Sequence, residues 1–202
     1  SGFTGQEFFL RDHRVRLQQQ EAAVLPAVAY LEMAREAVQR ALPQWAEHAE
    51  RGGVLQIEDA VWVQPAVQPQ EGLLKLGIEL QPQGEGLQFE VYAAQDEELL
   101  HCQGRAELVM PEPQPQQNLQ QLAQRMQQGV LQGPQLYERL RRLGLLYGPS
   151  HQAVQQVLQG QQEVLAQLQL PDDLQPGSFV LHPSLLDGAL QASLALLQTD
   201  RQ

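Results

Sequence analysis

The sequence predicts an α+β fold made of two copies of one unit, each a buried helix lying against an antiparallel sheet. In residues 26–42, apolar side chains cover much of the circumference of a predicted helix, and several strands follow it. The order of strands and apolar helix then begins again between residues 152 and 197. A repeat on this scale indicates two related units in one chain.

The elements of the first unit follow from residue periodicity and from Pro and Gly punctuation. Pro26 suits the first turn of the helix. The strands carry apolar side chains at every second position or in short runs, and Pro or Gly residues separate them. They are predicted at residues 54–64, 74–80, 87–94 and 99–110. One helix and four antiparallel strands make a self-contained unit.

A segment rich in proline and glutamine, residues 111–133, breaks the pattern and predicts a connection between an N-terminal unit (1–110) and a C-terminal unit (134–202). The elements predicted after residue 110 are a short helix at 119–126, a helix at 134–143, strands at 152–159 and 163–170, and an apolar helix at 183–197. Few residues follow this last helix, which cannot lie bare in water. We therefore expect the second unit to be incomplete, so that missing strands or another chain cover it.

Composition excludes several classes of function. The net charge of −11 argues against a nucleic-acid partner. No apolar run is long enough to cross a bilayer and no signal pattern opens the chain, so we expect no membrane contact and a cytoplasmic protein. The single cysteine, Cys102, excludes an internal disulfide and a cysteine-based zinc site. Arg139, Arg141 and Arg142 indicate a solvated face or a dock for an acidic partner.

Asp187 is the most informative residue of the chain, because it lies in the early turns of an otherwise apolar helix. Burying a carboxyl group is costly unless it has a partner or a function. Gln191 lies four residues later on the same face, where its amide can bind and aim the carboxyl. Two interpretations stay open from this segment: a functional acid, or a helix start in which Asp187 complements the helix dipole.

His13 precedes the first buried helix, and alone it would suggest a structural role. A histidine ahead of one buried helix and an aspartate in the other are a stronger combination. They offer a base and an acid that can face each other across one site.

Three segments carry a resemblance to a known family. Residues 8–15 with 24–34 look like its histidine motif, HxxxGxxxxP, and the helix that follows; residues 146–152 look like YGPxF; residues 182–191 match HPxxxDxxxQ closely. The chain thus resembles the dehydratase domains of modular polyketide synthases, and residues 8–15 look most like synthases whose acyltransferase acts in trans. The resemblance implies a double hotdog fold, with the catalytic histidine in the first hotdog, the catalytic aspartate in the second, and the second incomplete in this chain.

The resemblance also implies a reaction: dehydration of a β-hydroxyacyl thioester on an acyl carrier protein to the α,β-unsaturated thioester. His13 would remove the α-proton, and Asp187, with a pKa raised by an apolar tunnel, would protonate the leaving hydroxyl. Gln191 would orient Asp187. The residues that would line the substrate tunnel are Pro26, Tyr147, Gly148, Pro149 and His151.

No metal or organic cofactor is implied, because the substrate is carried on the phosphopantetheine arm of the acyl carrier protein and the thioester acidifies its own α-carbon. The implied partners are that carrier protein and the neighbouring domains of the synthase. The arginines at 139, 141 and 142 are the candidates for docking the carrier protein. The family also forms dimers within its synthases, which makes a homodimer one candidate arrangement.

The chain departs from the family pattern in four places. Leu17 stands where the family has a glycine whose N–H holds the thioester carbonyl, and Pro26 lies thirteen residues after His13 instead of nine. Ala27 follows this proline where the family usually has glycine, and His151 replaces a phenylalanine. Three alternatives therefore stay open. A domain of the same fold could close a cyclic ether or migrate a double bond, and the presence of Asp187 disfavours the second of these reactions. The third alternative is a catalytically silent domain kept for architecture or docking.

Overall fold

The computed structural model describes residues 1–17, 20–175, 177 and 179–198, and its fold is α+β with antiparallel sheets. The helices are α1 (Phe8–Arg11), α2 (Ala27–Ala41), α3 (Trp45–Glu50), α4 (Leu119–Arg125), α5 (Gly133–Arg142) and α6 (Pro183–Ser193). The strands are β1 (Gly2–Phe3), β2 (His13–Leu17), β3 (Gln20–Ala23), β4 (Val54–Trp62), β5 (Leu74–Gln83), β6 (Gly86–Ala93), β7 (Asp96–Val109), β8 (Gly129–Gln132), β9 (Leu145–Tyr147), β10 (Val154–Gln159) and β11 (Val164–Leu168). Short 3₁₀ segments cover Pro149–His151 and Leu194–Gln198.

Contacts divide the chain into two compact units. The first contains residues 1–5 and 27–114, and the second contains residues 6–26 and 115–202. The histidine segment, which lies inside the predicted N-terminal unit of residues 1–110, thus packs with the second unit. The reason is that β2 hydrogen-bonds along β9, with His13 opposite Tyr147. The boundaries of the two hotdogs themselves stay a prediction.

The first unit is a five-stranded antiparallel sheet in the order β1-β5-β6-β7-β4, with α2 packed against β4 to β7. The predicted helix and its four strands are all present. Tyr30 of α2 is buried, and its hydroxyl accepts a hydrogen bond from the N–H of Ala66. Glu32 and Arg35 are also buried on α2 and form an ion pair at 2.7 Å, as buried charges require.

The second unit contains two three-stranded antiparallel sheets, β3-β2-β9 and β11-β10-β8. Helix α5 packs on β8, β9 and β10, and α6 packs on β10 and β11. Strand β8 lies inside the predicted connection of residues 111–133, and β2, β3 and β9 were not predicted either. These strands are three to five residues long, too short for side-chain periodicity to predict them, so their pairing depends on tertiary partners.

No helix in the described ranges combines the length and the apolar composition needed to cross a bilayer. The core of the second unit is formed by apolar side chains from α5, β8, β10 and the end of α6. Its buried members are Leu131, Leu136, Tyr137, Leu140, Val154, Val157, Ala192 and Ala195. This core supports the helix that carries Asp187.

Replacing Leu140 should test this core. Leu140 is fully buried, so we expect Leu140→Ala to lower the free energy of unfolding by about 2–5 kcal/mol. Leu143, at the end of the same helix, is 66% exposed, and Leu143→Ala should change it by less than about 0.5 kcal/mol. Urea unfolding of both variants checks the difference, and equal losses would show that α5 does not bury Leu140 as described.

Candidate active site

Asp187 lies in the second turn of α6 and is only 5% exposed. The helix begins at Pro183, after His182, whose Nδ1 accepts a hydrogen bond from the N–H of Ser184. No acidic residue lies in the first turn of α6, where a carboxylate would best complement the helix dipole. The interpretation of Asp187 as a simple dipole partner at a helix start is therefore wrong, and its burial requires other partners.

Gln191 supplies the closest of these partners. Its Nε2 donates to Asp187 Oδ2 at 2.7 Å and to the carbonyl of His151 at 3.1 Å. Its Oε1 accepts from the Tyr137 hydroxyl at 2.9 Å, and that hydroxyl oxygen accepts from the N–H of Val154 at 2.9 Å. Because the tyrosine donates to Oε1, the amide of Gln191 can turn only its N–H groups towards the carboxylate. The predicted contact between positions 187 and 191 is confirmed.

Tyr137 is a part of the site that the sequence analysis missed. Burial raises the pKa of its hydroxyl, so the group stays protonated and can donate. The available sequence signal was a tyrosine on the apolar face of α5, next to Leu136 and Leu140. That signal predicts burial, but the polar chain from Val154 through Tyr137 to Gln191 needs the packing of α5 against α6 and β10.

His13 is the first residue of β2, and its ring is held in one tautomer. Nδ1 lies 2.7 Å from the carbonyl oxygen of Val24. A carbonyl oxygen can only accept, so Nδ1 carries the proton and Nε2 has the free lone pair. Nε2 in turn lies 3.9 Å from Asp187 Oδ2. The structure therefore brings together the two residues that the sequence proposed as base and acid, within one unit.

The pKa of His13 is lowered. Burial is the main cause, and the nearby His151 ring adds to it, whereas the Asp187 carboxylate partly opposes the shift. The imidazole is therefore largely neutral near pH 7, which is the form that a general base requires.

The pKa of Asp187 is also lowered, which corrects the expectation that an apolar tunnel would raise it. Burial does favour the protonated carboxyl. Hydrogen bonding from His151 and Gln191 and the charges of the His13 and His151 rings outweigh burial and favour the carboxylate. The surroundings of this carboxyl group are polar, and that is why the expectation failed.

His151 is fully buried on the 3₁₀ segment Pro149–His151. Its Nδ1 lies 3.4 Å from Asp187 Oδ2, and its ring centroid lies 5.4 Å from that of His13. The sequence predicted a polar residue of the tunnel wall. In the structure the His151 ring contacts the carboxyl group of Asp187.

Asp12 connects the segment before His13 to the segment that carries His151. Its Oδ2 accepts from the N–H of Ser150 at 3.0 Å and from the Ser150 hydroxyl at 2.6 Å, and Arg11 donates to Oδ1 at 2.9 Å. A Cβ at Gly148 would lie 2.5 Å from Asp12 Cγ. Gly148 therefore makes room for this carboxylate.

The remaining predicted tunnel residues differ in their surroundings. Tyr147 lies beside the two imidazoles, with ring centroids 5.4 Å from His13 and 6.5 Å from His151. Pro26 is buried at the end of the segment that follows β3, whereas Pro149 is exposed. Tyr147 is thus the predicted wall residue, apart from His151, that the structure places against the histidines.

The predicted docking arginines lie on the exposed face of α5. Glu138 lies among them and pairs with Arg141 at 2.9 Å and with Arg142 at 3.1 Å. Beside this face is a groove of about 680 Å³. Its wall includes Tyr147 and four arginines from three elements: Arg11 on α1, Arg14 and Arg16 on β2, and Arg141 on α5. Across the described ranges, no group of three or more His, Cys, Asp or Glu residues is arranged to hold a metal ion.

Acid titration should reveal the role of Asp12. Burial opposes its ionisation, but the hydrogen bonds from Arg11 and Ser150 outweigh burial and lower its pKa to about 2. The pKa of Asp12 is lower in the folded protein than in the unfolded chain, where it is near 4. Ionised Asp12 therefore stabilises the fold at pH values above about 4, by up to about 2 kcal/mol, and this contribution is lost as the pH falls towards 2.

We therefore expect Asp12→Asn to be less stable than the wild type in urea at about pH 7, and the gap to narrow towards about pH 3. The exposed residue Asp59 offers a matched control, Asp59→Asn. A gap between Asp12→Asn and the wild type that is constant with pH would contradict this account.

Two family models match the chain. Residues 1–94 match the polyketide synthase dehydratase domain, and residues 114–202 match the polyketide synthase dehydratase N-terminal domain. Polyketide synthase PksN of Bacillus subtilis is 38% identical over 201 residues, and PksM of the same organism is 35% identical over 204 residues. These alignments cover 97% and 98% of this chain, but only 4% and 5% of those long proteins.

Solved structures agree with the family match. A dehydratase domain of a trans-acyltransferase polyketide synthase from Brevibacillus brevis has 38% identity and a TM-score of 0.84, over 96% of this chain and 72% of that one. The dehydratase domain of RzxB from Pseudomonas fluorescens has 29% identity and a TM-score of 0.78, over 100% and 70%. The dehydratase domain from the CurJ module of the curacin synthase, at 23% identity and a TM-score of 0.79, supports the fold alone. The chain therefore belongs to the dehydratase domains of polyketide synthases and has their double hotdog fold.

Proposed function

We propose that this domain removes water from a β-hydroxyacyl thioester carried on the phosphopantetheine arm of an acyl carrier protein and leaves the α,β-unsaturated thioester. One observation carries the proposal. The free lone pair of His13 Nε2 lies 3.9 Å from Asp187 Oδ2, and both side chains are largely buried. A base and an acid so close can act on neighbouring carbons of one acyl chain.

His13 acts first on the α-carbon. The Val24 carbonyl fixes its tautomer, so Nε2 faces the site as an acceptor. The thioester carbonyl acidifies the α-proton, which passes to Nε2 and leaves an imidazolium. The carboxyl group of Asp187 lies near enough to stabilise the positive charge on this ring.

Asp187 acts on the β-carbon. The electron pair of the broken α-C–H bond forms the double bond as the β-C–O bond breaks, and the departing hydroxyl takes a proton from the acid to leave as water. His13 then holds one proton more and the acid one fewer. Return of this proton over the short gap between the two groups restores the site. The carbon chain is neither oxidised nor reduced, so the reaction needs only proton transfer.

The proposed partners are the acyl carrier protein, which delivers the substrate, and the neighbouring domains of the synthase. Arg139, Arg141 and Arg142 stay the candidates for carrier docking, although Glu138 neutralises part of their charge. A homodimer stays a prediction from the family resemblance.

Removing either group should abolish dehydration. In the full-length protein we expect Asp187→Asn and His13→Ala each to lower the rate by about 10²–10⁴ with little change in the circular dichroism spectrum. Intact-protein mass spectrometry measures the reaction as the loss of the mass of one water from a β-hydroxyacyl carrier protein. Asp59→Asn and His48→Ala repeat the same changes outside the site and should leave the rate unchanged.

Two outcomes would count against the proposal. Wild-type protein that binds the carrier protein without releasing water would favour the catalytically silent alternative. Release of water followed by closure of a ring, seen as no further mass change but loss of the conjugated double bond, would favour cyclic-ether formation.

The pH profile should report the lowered pKa of His13. The base must be neutral, so a pKa below 6.5 in the free enzyme extends activity towards acid. We expect the acidic limb of kcat/KM to lie below pH 6.5. An acidic limb above that value would mean that attraction from Asp187 exceeds the effect of burial on His13.

A further inference from the structure

His151 is the buried titratable group that the proposed mechanism does not use. It stands where the family motif has phenylalanine, which would fill the same space without a polar atom. Its Nδ1 lies 3.4 Å from Asp187 Oδ2, and its Nε2 is buried with no hydrogen-bond partner among the described residues. A buried ring nitrogen without a partner is unfavourable, so an imidazole at this position requires an explanation.

The contacts of Asp187 are one-sided. Gln191 Nε2, His151 Nδ1 and His13 Nε2 all approach Oδ2. No described residue donates a hydrogen bond to Oδ1. Gln191 also binds the main-chain carbonyl of His151, so one amide fixes the positions of both groups. The described contacts therefore hold the carboxyl group through Oδ2.

We propose that His151 is a positioning residue for the acid: its Nδ1 holds Asp187 Oδ2 and shares with that oxygen the proton that leaves with the hydroxyl of the substrate. This inference rests on the proposed function and deepens it. The acid is then a pair of side chains with one exchangeable proton, whereas the phenylalanine of the family motif could not share a proton.

The proton balance is simple. Before the reaction, His151 carries a proton on Nε2, and a second proton lies between its Nδ1 and Asp187 Oδ2. As the β-C–O bond breaks, this proton is passed through Asp187 to the departing oxygen, and the pair becomes neutral imidazole and carboxylate. The α-proton held by His13 later returns to the pair. Burial raises the pKa of Asp187, and the hydrogen bond from His151 is the first of the causes that together lower it, as expected if the two groups interact through this proton.

The other charged or titratable groups around His151 come from several elements. His13 on β2 and Tyr147 on β9 lie beside its ring. Tyr137 on α5 reaches it through Gln191, and His182 lies across the ring of Phe8. Asp12 binds the preceding residue, Ser150. Because the imidazoles of His13 and His151 both lie beside Asp187, the test needs variants that separate His151 from His13.

The first test compares two substitutions in the full-length protein. His151→Phe removes both ring nitrogens, and with them the donor to Asp187, and we expect kcat to fall at least about tenfold with a smaller change in KM. His151→Asn places an amide nitrogen where Nδ1 lies, so it keeps the donor but cannot store a proton. We expect it to recover much of kcat at low pH. Its alkaline limb should move to lower pH by about one unit or more, because the carboxyl alone then holds the proton.

A second measurement does not depend on turnover. In ¹⁵N-labelled wild-type protein, the ring N–H resonance of His151 is assigned by its loss in His151→Asn. We expect this resonance to lie downfield, because the N–H donates to a charged carboxylate. It should move upfield in Asp187→Asn. His48→Asn, outside the site, should change neither this resonance nor the pH profile.

The outcomes separate the two proposals. If wild-type protein releases no water, the proposed function fails and proton donation by the pair fails with it. If the wild type is active while His151→Asn keeps the wild-type pH profile, or His151→Phe keeps the wild-type kcat, then the inference is overturned and the proposed function stands. A ring N–H resonance that does not respond to Asp187→Asn would also overturn it. Should His151→Phe fail to fold, His151→Asn decides.

Discussion

The burial of the Asp187 carboxylate is the constraint on which the rest of the second unit depends. A carboxylate removed from water costs far more than one hydrogen bond returns, so it persists only where several polar groups converge on it. Gln191 provides one such group, and Tyr137 and the N–H of Val154 fix the amide that does so. One series of hydrogen bonds thus joins helix α5, strand β10 and helix α6. The apolar core around Tyr137 excludes the water that would otherwise compete for these hydrogen bonds.

The histidine reaches this carboxylate because of strand pairing. β2 lies against β9, and Asp12, one residue before His13, binds the backbone and hydroxyl of Ser150. The two imidazoles are thereby fixed by one short antiparallel ladder and one carboxylate bridge. This geometry explains why residues 6–26 pack with the second unit although the first unit follows them directly in the chain.

The segment after His13 was the main reason to consider a catalytically silent domain, because it is longer than the family motif and lacks its glycine. In the structure this segment contains the hairpin of β2 and β3, which returns the chain to His13. The N–H of Val24 binds the His13 carbonyl at 3.0 Å, and the Val24 carbonyl accepts from His13 Nδ1 at 2.7 Å. The longer segment therefore supplies the acceptor that fixes the tautomer of His13. Leu17, at the position where the family motif has glycine, pairs with Gln20 and is part of strand β2.

The sequence by itself determined the main helices, the strands of the first unit, and the contact between Asp187 and Gln191, because these depend on residue periodicity and on a spacing of one helical turn. It also indicated the family through three motifs in order. Only the tertiary structure decided that His151 contacts the acid, that Tyr137 supports Gln191, and that the pKa of Asp187 is lowered. Those features depend on groups far apart in the sequence that meet in one buried place, as Tyr137 and Gln191 do from 54 residues apart, and no local pattern encodes their distance or their hydrogen bonds. The short strands β2, β3, β8 and β9 were missed for the same reason: their partners, and not their own composition, make them strands.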